Sequence, residues 1–168
     1  MDFEDKYSKE KRFALVIGSL YAAAGFVQFV LGTGLAGCLA YLGHPGEALQ
    51  NALFGLANAL FIPPDVLGGL LLLVVGATFL SGAKELRMGI PEGVAYVYVG
   101  TLLSLTFAIV YLLTMSGNAL EAFVLGCEDF EDWTFLSDMR PAIYLAVLAL
   151  PAYLSRKTRF SPGGTPAE

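Results

Sequence analysis

Charged side chains are absent from long stretches of this chain, and that absence sets the class of protein. The sequence has 168 residues, and one run, residues 13–42, contains no charged residue and no histidine. Hydrophobic residues make up 56% of the sequence, and its mean hydropathy is +0.64. This composition is too apolar for a soluble domain but ordinary for a small multi-span membrane protein. We therefore predict an all-α integral membrane protein.

Histidine, basic charge and catalytic motifs are also scarce. His44 is the only histidine, which excludes a bis-histidine haem and a histidine-rich metal site. The net charge of −5, without a basic groove pattern, indicates that nucleic acid is not a partner. The sequence contains no nucleophile–base pair, phosphate-binding loop or metalloprotease motif. We therefore expect a non-enzymatic protein with no catalytic residue, no metal and no cofactor.

The apolar runs predict a bundle of four transmembrane helices. A bilayer core about 30 Å thick is crossed by about 20 apolar residues in a helix. One membrane domain is expected over residues 13–155, between polar tails at residues 1–12 and 156–168, with Asp65 and Asp138 as helix N-caps. The four expected spans are residues 13–42, 66–83, 94–115 and 141–155. As a continuous helix the first would be roughly 45 Å long, so it must tilt or stand out of the membrane.

Two further segments are expected on one side of the membrane. Residues 48–62 carry a leucine stripe but would make a helix of only roughly 22 Å, so we predict a short interfacial or re-entrant helix that ends at a double proline. Residues 116–140 form the one long connection, with six acidic residues, interleaved aromatic residues and only Arg140 as a cation. We predict that this acidic outer loop rests on the membrane with Trp133 at headgroup level.

Small residues recur at helical spacing in every span. In the first span six positions, five of them Gly or Ala, step by four, three, four, three and four along one face. Little hydrophobic force acts between helices in lipid, so close approach of backbones over small residues drives their association. We therefore predict a packing seam on each span. The seams comprise Gly18, Ala22, Gly25, Phe29, Gly32 and Ala36; Gly69, Gly76 and Ala83; Gly93, Gly100 and Ser104; and Ala142, Ala146 and Ala149.

The basic residues predict the orientation of the protein. With four spans, nine of the ten Lys and Arg residues lie on the side that holds both tails, and only Arg140 lies on the other. The positive-inside rule then places both termini in the cytoplasm, with the protein in the cell membrane. The acidic loop accordingly faces the outside.

Cys38 and Cys127 are the only cysteines. On this topology both face the outer compartment, where disulfides persist, so the pair is a disulfide candidate. The alternative is two unpaired thiols that pack as small apolar residues. A redox role would rest on this one pair, because the chain has no C-x-x-C motif.

Polar side chains within the spans are the other candidates for function. The four spans contain no Asp, Glu, Lys, Arg or His, whereas ion-coupled transporters usually need an ionisable group in the membrane. Gln28 is the only strongly polar side chain at depth, and with Tyr111 and Ser104 it forms a candidate intramembrane polar site. Two interpretations remain open, a ligand site and hydrogen bonds between neighbouring helices.

The acidic loop also holds a candidate surface for weak cation binding or partner binding. It comprises Glu128, Asp129, Glu131 and Asp132. Carboxylate oxygens bind Ca²⁺ and Mg²⁺, but this run lacks the alternating ligands and the glycine of an EF-hand loop. A solvated acidic surface, or one that faces a basic partner, is the simpler interpretation.

These observations favour three functions, in decreasing order. The first is a structural or accessory subunit of a membrane complex, because the interior is poor in polar groups and rich in small-residue seams. The second is a transport or channel module for a small or lipid-like solute, which works as an oligomer and uses Gln28. The third is a thiol–disulfide redox protein that uses the cysteine pair. The expected partners are the lipid bilayer and either further copies of the chain or a larger membrane complex.

Overall fold

The described part of the chain folds into five α-helices. The structure is a computed structural model that describes residues 8–34, 44–125 and 133–157. A π-helical turn, Glu121–Leu125, continues the fourth helix. The helices are α1 (Ser8–Gly32), α2 (His44–Ala59), α3 (Val66–Arg87), α4 (Gly93–Leu120) and α5 (Pro141–Lys157).

Four of these helices form a bundle. Helix α1 packs against α3 and α5, and α4 packs against the same two helices, while α2 lies on α1. By length and composition, α1, α3 and the continuous helical stretch Gly93–Val124 can each cross a membrane. Helix α5 is shorter, with 17 residues, and its first part is apolar. The prediction of an all-α, four-helix membrane fold with one additional short helix is confirmed.

Helices α1 and α3 are joined by direct approach of their backbones at glycine residues. A Cβ placed on Gly69 would lie 2.6 Å from the Phe29 backbone nitrogen, and one on Gly76 would lie 2.7 Å from that of Ala22. A Cβ on Gly25 would lie 2.8 Å from the Gly69 carbonyl oxygen. These distances are too short for any side chain, so the helices approach this closely only because the positions are glycine. The predicted seam between the first two spans is confirmed at these residues.

Smaller contacts of the same kind join α4 to α3. A Cβ on Gly93 would lie 2.7 Å from the Gly82 carbonyl oxygen, so the start of α4 packs directly on the end of α3. Gly100 makes room for the buried Phe79 ring, which would lie 3.2 Å from a Cβ there and which stacks on Tyr21 at 6.0 Å between ring centroids. The predicted alanines of α5 are buried as well: Ala142, Ala146 and Ala149.

Helix α1 is shorter than its uncharged run suggests. It begins at Ser8 and ends at Gly32, so the expectation of one continuous helix over residues 13–42 is wrong at Thr33 and Gly34. Gly34 adopts the left-handed conformation, with φ 69°, and its N–H donates to the Leu31 carbonyl at 3.2 Å. The apolar run does not reveal this helix end, because glycine is frequent inside transmembrane helices and therefore does not by itself mark where one ends. Residues 35–43, which include the predicted seam residue Ala36, lie outside the described part.

Helix α2 ends before the double proline, as predicted, in a Schellman turn. The Ile62 N–H donates to the Ala57 carbonyl at 2.8 Å, and the Phe61 N–H donates to the Asn58 carbonyl at 3.3 Å. Phe61 occupies the left-handed position with φ 52°, where glycine is usual. Ile62 and Ala57 are both buried in the cluster that α2 forms with α1, which holds this turn in place.

The connection between the last two spans is shorter than predicted. Helix α4 runs to Leu120 and its π-helical turn runs to Leu125, whereas the span was expected to end at residue 115. Asp138 was expected to be the N-cap of the last helix, and this is wrong because its carboxylate binds two other side chains, described below. Helix α5 begins at Pro141, the first-turn position expected for this proline.

We expect Gly69→Ala to lower the free energy of unfolding by about 1–3 kcal/mol, the usual cost of overpacking. The added methyl group must push the Phe29 backbone away, since the two would otherwise lie 2.6 Å apart. Gly117→Ala is the matched control, because a Cβ there meets nothing within 4 Å. It should stabilise its helix by about 0.5–1 kcal/mol. Thermal unfolding in one detergent measures both, and a Gly69→Ala protein as stable as the parent would contradict the seam.

Candidate functional site

One end of the bundle carries polar side chains from several parts of the chain. Asp65 is the N-cap of α3, as predicted, and its Oδ1 accepts a hydrogen bond from the Gly68 N–H at 3.0 Å. The double proline before Asp65 disfavours helical backbone, so the helix begins only after it. The Asp65 backbone is extended, with φ −145° and ψ 110°. Its second oxygen, Oδ2, lies beside Gly68.

Three polar groups meet at Gly68. A Cβ placed there would lie 2.6 Å from Gln28 Nε2, 2.7 Å from Asp65 Oδ2 and 2.9 Å from the Tyr111 hydroxyl oxygen. These groups come from α1, from the N-cap of α3 and from α4, so a residue without a side chain holds the space between them. Together with Arg140 they form what we call the Gly68 cluster: Gln28, Asp65, Gly68, Tyr111 and Arg140.

Gln28 is the most deeply buried polar side chain of the Gly68 cluster. It is 1% exposed, and among the described residues its Oε1 has no hydrogen-bond partner. Leaving a buried amide oxygen unpaired costs about 1–3 kcal/mol. Such a group is retained at this cost only where the surrounding packing or a bound donor compensates for it.

Arg140 lies at the solvent side of the Gly68 cluster, immediately before α5. Its Nη1 is 3.9 Å from Asp65 Oδ2, and its guanidinium carbon is 5.9 Å from the centre of the Tyr111 ring. The Arg140 and Asp65 side chains are 29% and 32% exposed. A partly exposed ion pair at this distance contributes little stability, so the guanidinium donors stay available to another acceptor.

Ser104, the third member of the predicted polar site, lies elsewhere. Its buried hydroxyl donates to the Thr101 carbonyl at 2.9 Å, and the Thr101 hydroxyl donates to the Val97 carbonyl at 2.8 Å. Ser104 precedes Tyr111 by about two turns of helix, or roughly 10 Å. The structure therefore brings Gln28 and Tyr111 together and separates Ser104 from them. Hydroxyls that bond to carbonyls of their own helix in the same way are those of Thr78, Thr106, Thr114 and Ser116.

A second group of contacts secures the same end of the bundle. Asp138 Oδ2 accepts hydrogen bonds from Trp133 Nε1 at 2.8 Å and from Asn118 Nδ2 at 2.6 Å. The Trp133 ring packs edge-on against Phe123, with 5.7 Å between the ring centroids. These contacts tie the end of α4 to the segment before α5, and they hold the backbone that leads into Arg140.

Several predicted site residues fall outside the described part of the chain. They are Cys38, Cys127, Glu128, Asp129, Glu131 and Asp132. The structure gives no support to the candidate disulfide, and the acidic surface stays a prediction.

Asp65 and Arg140 were not among the predicted site residues. Asp65 was expected only as a helix cap, and Arg140 only as an isolated cation. A usable signal was present, because these two opposite charges directly precede the second and fourth spans, whose starts share one side of the membrane. Gly68 carried no comparable signal, since its role depends on which helices face it.

Comparison with known proteins agrees with this architecture. Apolar helices that pack through small residues, with polar groups confined to the ends and to a few buried positions, define an integral membrane protein of the helical-bundle class. The chain belongs to the family described as the MJ0565 integral membrane domain, whose model matches residues 6–158. It is similar to the uncharacterized protein MJ0565 of Methanocaldococcus jannaschii, with 28% identity over 153 residues, which cover 91% of this chain and 92% of that protein. No solved structure matches the chain.

We expect Asp138→Ala to loosen the connection before α5, because both Trp133 and Asn118 lose their acceptor. The loss should be about 1–2 kcal/mol for charge-assisted bonds that are partly exposed. Trp133 is the only tryptophan, so its fluorescence maximum should shift to longer wavelength as water reaches the ring. Ser137→Ala is the control, because that hydroxyl bonds only within its own turn, to Thr134. An unchanged Asp138→Ala spectrum would contradict the assigned contacts.

Proposed function

We propose that this protein is a non-enzymatic membrane protein that acts as an accessory subunit of a larger membrane assembly. The observation that carries the proposal is the length and exposure of the helical stretch Gly93–Val124. Its 32 residues extend to roughly 48 Å, whereas a bilayer core is about 30 Å thick. A typical tilt of about 20° does not absorb this difference, so one end of the stretch projects beyond the hydrocarbon.

We place the projection at the C-terminal end of this stretch, which is apolar and exposed. Leu120, Phe123 and Val124 are 54%, 77% and 71% exposed. In the most hydrophobic part of Gly93–Val124 only 28% of the residues are buried inside the bundle, compared with 50% in the corresponding part of α1 and 44% in that of α3. Lipid tails cannot cover side chains that lie beyond the hydrocarbon, and exposed apolar patches of this kind mark protein contacts. The occupant we propose is an apolar surface of a partner protein, flanked by basic residues that complement the acidic residues that follow this stretch in the sequence.

The interior of the bundle supports a structural role rather than transport. Its helices approach each other through glycine contacts, and the hydroxyls of α4 bond to their own helix. The proximity of Gln28 and Tyr111 is the one observation that favours a solute site. These polar groups do not form a path along the bundle, because Ser104 lies apart from them. The redox alternative has no structural support and is not part of the proposal.

The test is native mass spectrometry of the protein extracted from its own membranes in lipid nanodiscs, without detergent. A defined complex heavier than the 17.9 kDa chain with its lipid is expected. Val124→Ser should reduce the fraction in this complex severalfold, because Val124 lies at the projecting end. Leu67→Ser is the matched control, since Leu67 is 73% exposed at the start of α3. A monomer alone would contradict the proposal, and a complex of identical chains would replace the partner by a second copy.

We further propose that both termini lie in the cytoplasm of a cell-membrane protein, on the strength of the basic residues. The measurement uses a Cys38→Ser, Cys127→Ser background with one new cysteine at Met88 or at Phe135. These positions are matched, with exposures of 57% and 55%, at opposite ends of the bundle. A membrane-impermeant maleimide should label Phe135→Cys in intact cells and Met88→Cys only after permeabilisation. The reverse labelling pattern would contradict this orientation.

A further inference from the structure

Helix α4 exposes a regular, mainly apolar face. Positions along this face alternate steps of three and four residues, which is the a/d spacing of a coiled-coil heptad, and they do so over three heptads. We call these residues the α4 heptad face: Val99, Leu102, Thr106, Ile109, Leu113, Ser116 and Leu120. All of them are exposed, and Leu113 is 67% exposed. A sustained heptad pattern of this kind is typical of a helix that packs along a second helix.

The α4 heptad face points away from the bundle. The residues of α4 that are buried lie about 160° around the helix axis from the centre of the heptad face. They are Gly93, Val97, Gly100, Thr101, Ser104, Ala108 and Met115. Helix α4 therefore packs on α3 and α5 with one face and presents a separate, regular face outward.

The two polar residues of the α4 heptad face are compatible with an apolar neighbour. The Thr106 hydroxyl donates to the Leu102 carbonyl at 2.9 Å, and the Ser116 hydroxyl donates to the Leu112 carbonyl at 2.7 Å. Because each hydroxyl already donates within α4, an apolar partner leaves neither donor unsatisfied. Small side chains at these two positions also let a second helix approach closely, which is what drives helix association in lipid.

Lipid accounts for the inner part of the α4 heptad face but not for its outer part. Leu120 lies roughly 40 Å from Gly93 along the helix axis, whereas a bilayer core is about 30 Å thick. Phe123, in the π-helical turn, continues the seven-residue spacing from Ser116 and is 77% exposed. The spacing thus runs unbroken from the hydrocarbon to the projecting end. A second helix can cover both parts, because its own side chains follow the same repeat.

The charge near the outer end of the α4 heptad face indicates a different protein rather than a second copy. Two copies inserted in one membrane share their orientation, so a symmetric pair would place the two α4 helices in parallel. This pairing would bring together two segments 116–140, each with six acidic residues and only Arg140 as a cation. Like charges disfavour such an interface, whereas Lys or Arg residues on a partner are attracted to it.

We infer that the α4 heptad face binds a transmembrane helix of a different protein, and that this helix carries Lys or Arg residues just beyond its outer end. The inference rests on the accessory function proposed above and names the element of the partner that is bound. Because a heptad repeat has 3.5 residues per turn rather than 3.6, the two helices coil around each other with a left-handed twist.

The first experiment maps the contact by photo-crosslinking in native membranes. The full-length protein carries p-benzoylphenylalanine in place of Ile109 or Leu113, or in place of Val147 of α5 as the control. Val147 is 64% exposed, which matches the 67% of Leu113. The two α4 positions should crosslink to one helix of the same protein, and the control position should not.

The identity of the crosslinked peptide decides between the possible occupants. Mass spectrometry should find an apolar helix with Lys or Arg residues beyond its outer end. Crosslinks to α4 of a second copy, to a helix without these basic residues, or equally from Val147 would overturn the inference. Crosslinks from Ile109 and Leu113 to lipid alone would also overturn it.

Two pairs of variants test packing and charge separately. Leu113→Trp should reduce the fraction of the complex in native mass spectrometry severalfold, because the indole ring holds the two helices apart, whereas Val147→Trp should not. Glu121→Lys, directly after the heptad face, should also reduce it severalfold, whereas Glu92→Lys before the start of α4 should not. The unfolding temperature checks that all four variants fold. An unchanged complex in Leu113→Trp or in Glu121→Lys would overturn the inference.

These results separate the heptad contact from the accessory function. A complex that depends on Val124, but that gives no crosslink from Ile109 or Leu113, would keep the accessory function and overturn the heptad contact. The absence of any complex would contradict both.

Discussion

The direct contact of the α1 and α3 backbones is the constraint on which the rest of the structure depends. In lipid, an apolar side chain gains little free energy when it exchanges contact with lipid tails for contact with another helix, so helices associate mainly through close packing. Gly25, Gly69 and Gly76 remove the side chains that would hold the two axes apart, and a single added methyl group at any of them would collide with backbone atoms. Because the pair cannot spread or slide without losing these contacts, it sets the positions that α4, α5 and α2 then pack against.

The same contact explains how a glutamine comes to be buried in the membrane domain. Gln28 lies between the seam residues Gly25 and Gly32, so the packing that brings α1 onto α3 also carries its amide to the start of α3. Gly68 has no side chain, and this leaves room for the amide beside Asp65 and Tyr111. Buried polar groups in a membrane interior are costly and are tolerated when partners are fixed around them. The glycine seam therefore supplies the precision that the polar cluster needs.

The sequence predicts features that depend on local spacing. Its predictions fail where distant parts of the chain compete for the same group. The seam could be found because Gly69 and Gly76 repeat at helical intervals, and the Asp65 cap because a double proline precedes it. Asp138 had an equally good local pattern for capping, but Trp133 and Asn118 take its carboxylate instead. The Gly68 cluster could not be assembled in advance, since it requires knowing which faces of three helices meet. Gln28 and Tyr111 could be predicted as candidates from their polarity, and nothing local indicated that they meet and that Ser104 does not join them.

The two ends of the bundle differ in a way that separates stability from function. At one end, α3 passes into α4 through a Schellman turn with Gly89 in the left-handed position, φ 79°, where glycine costs nothing. At the other end, the equivalent position after α2 is held by Phe61, whereas a buried side-chain oxygen without a partner among the described residues occurs at both ends, at Gln28 and at Glu85. Strained backbone persists only where the surrounding packing enforces it, and it concentrates at functional sites. The end that holds the Gly68 cluster and the projecting part of α4 is therefore the end at which binding is expected, while the Gly89 end closes the bundle.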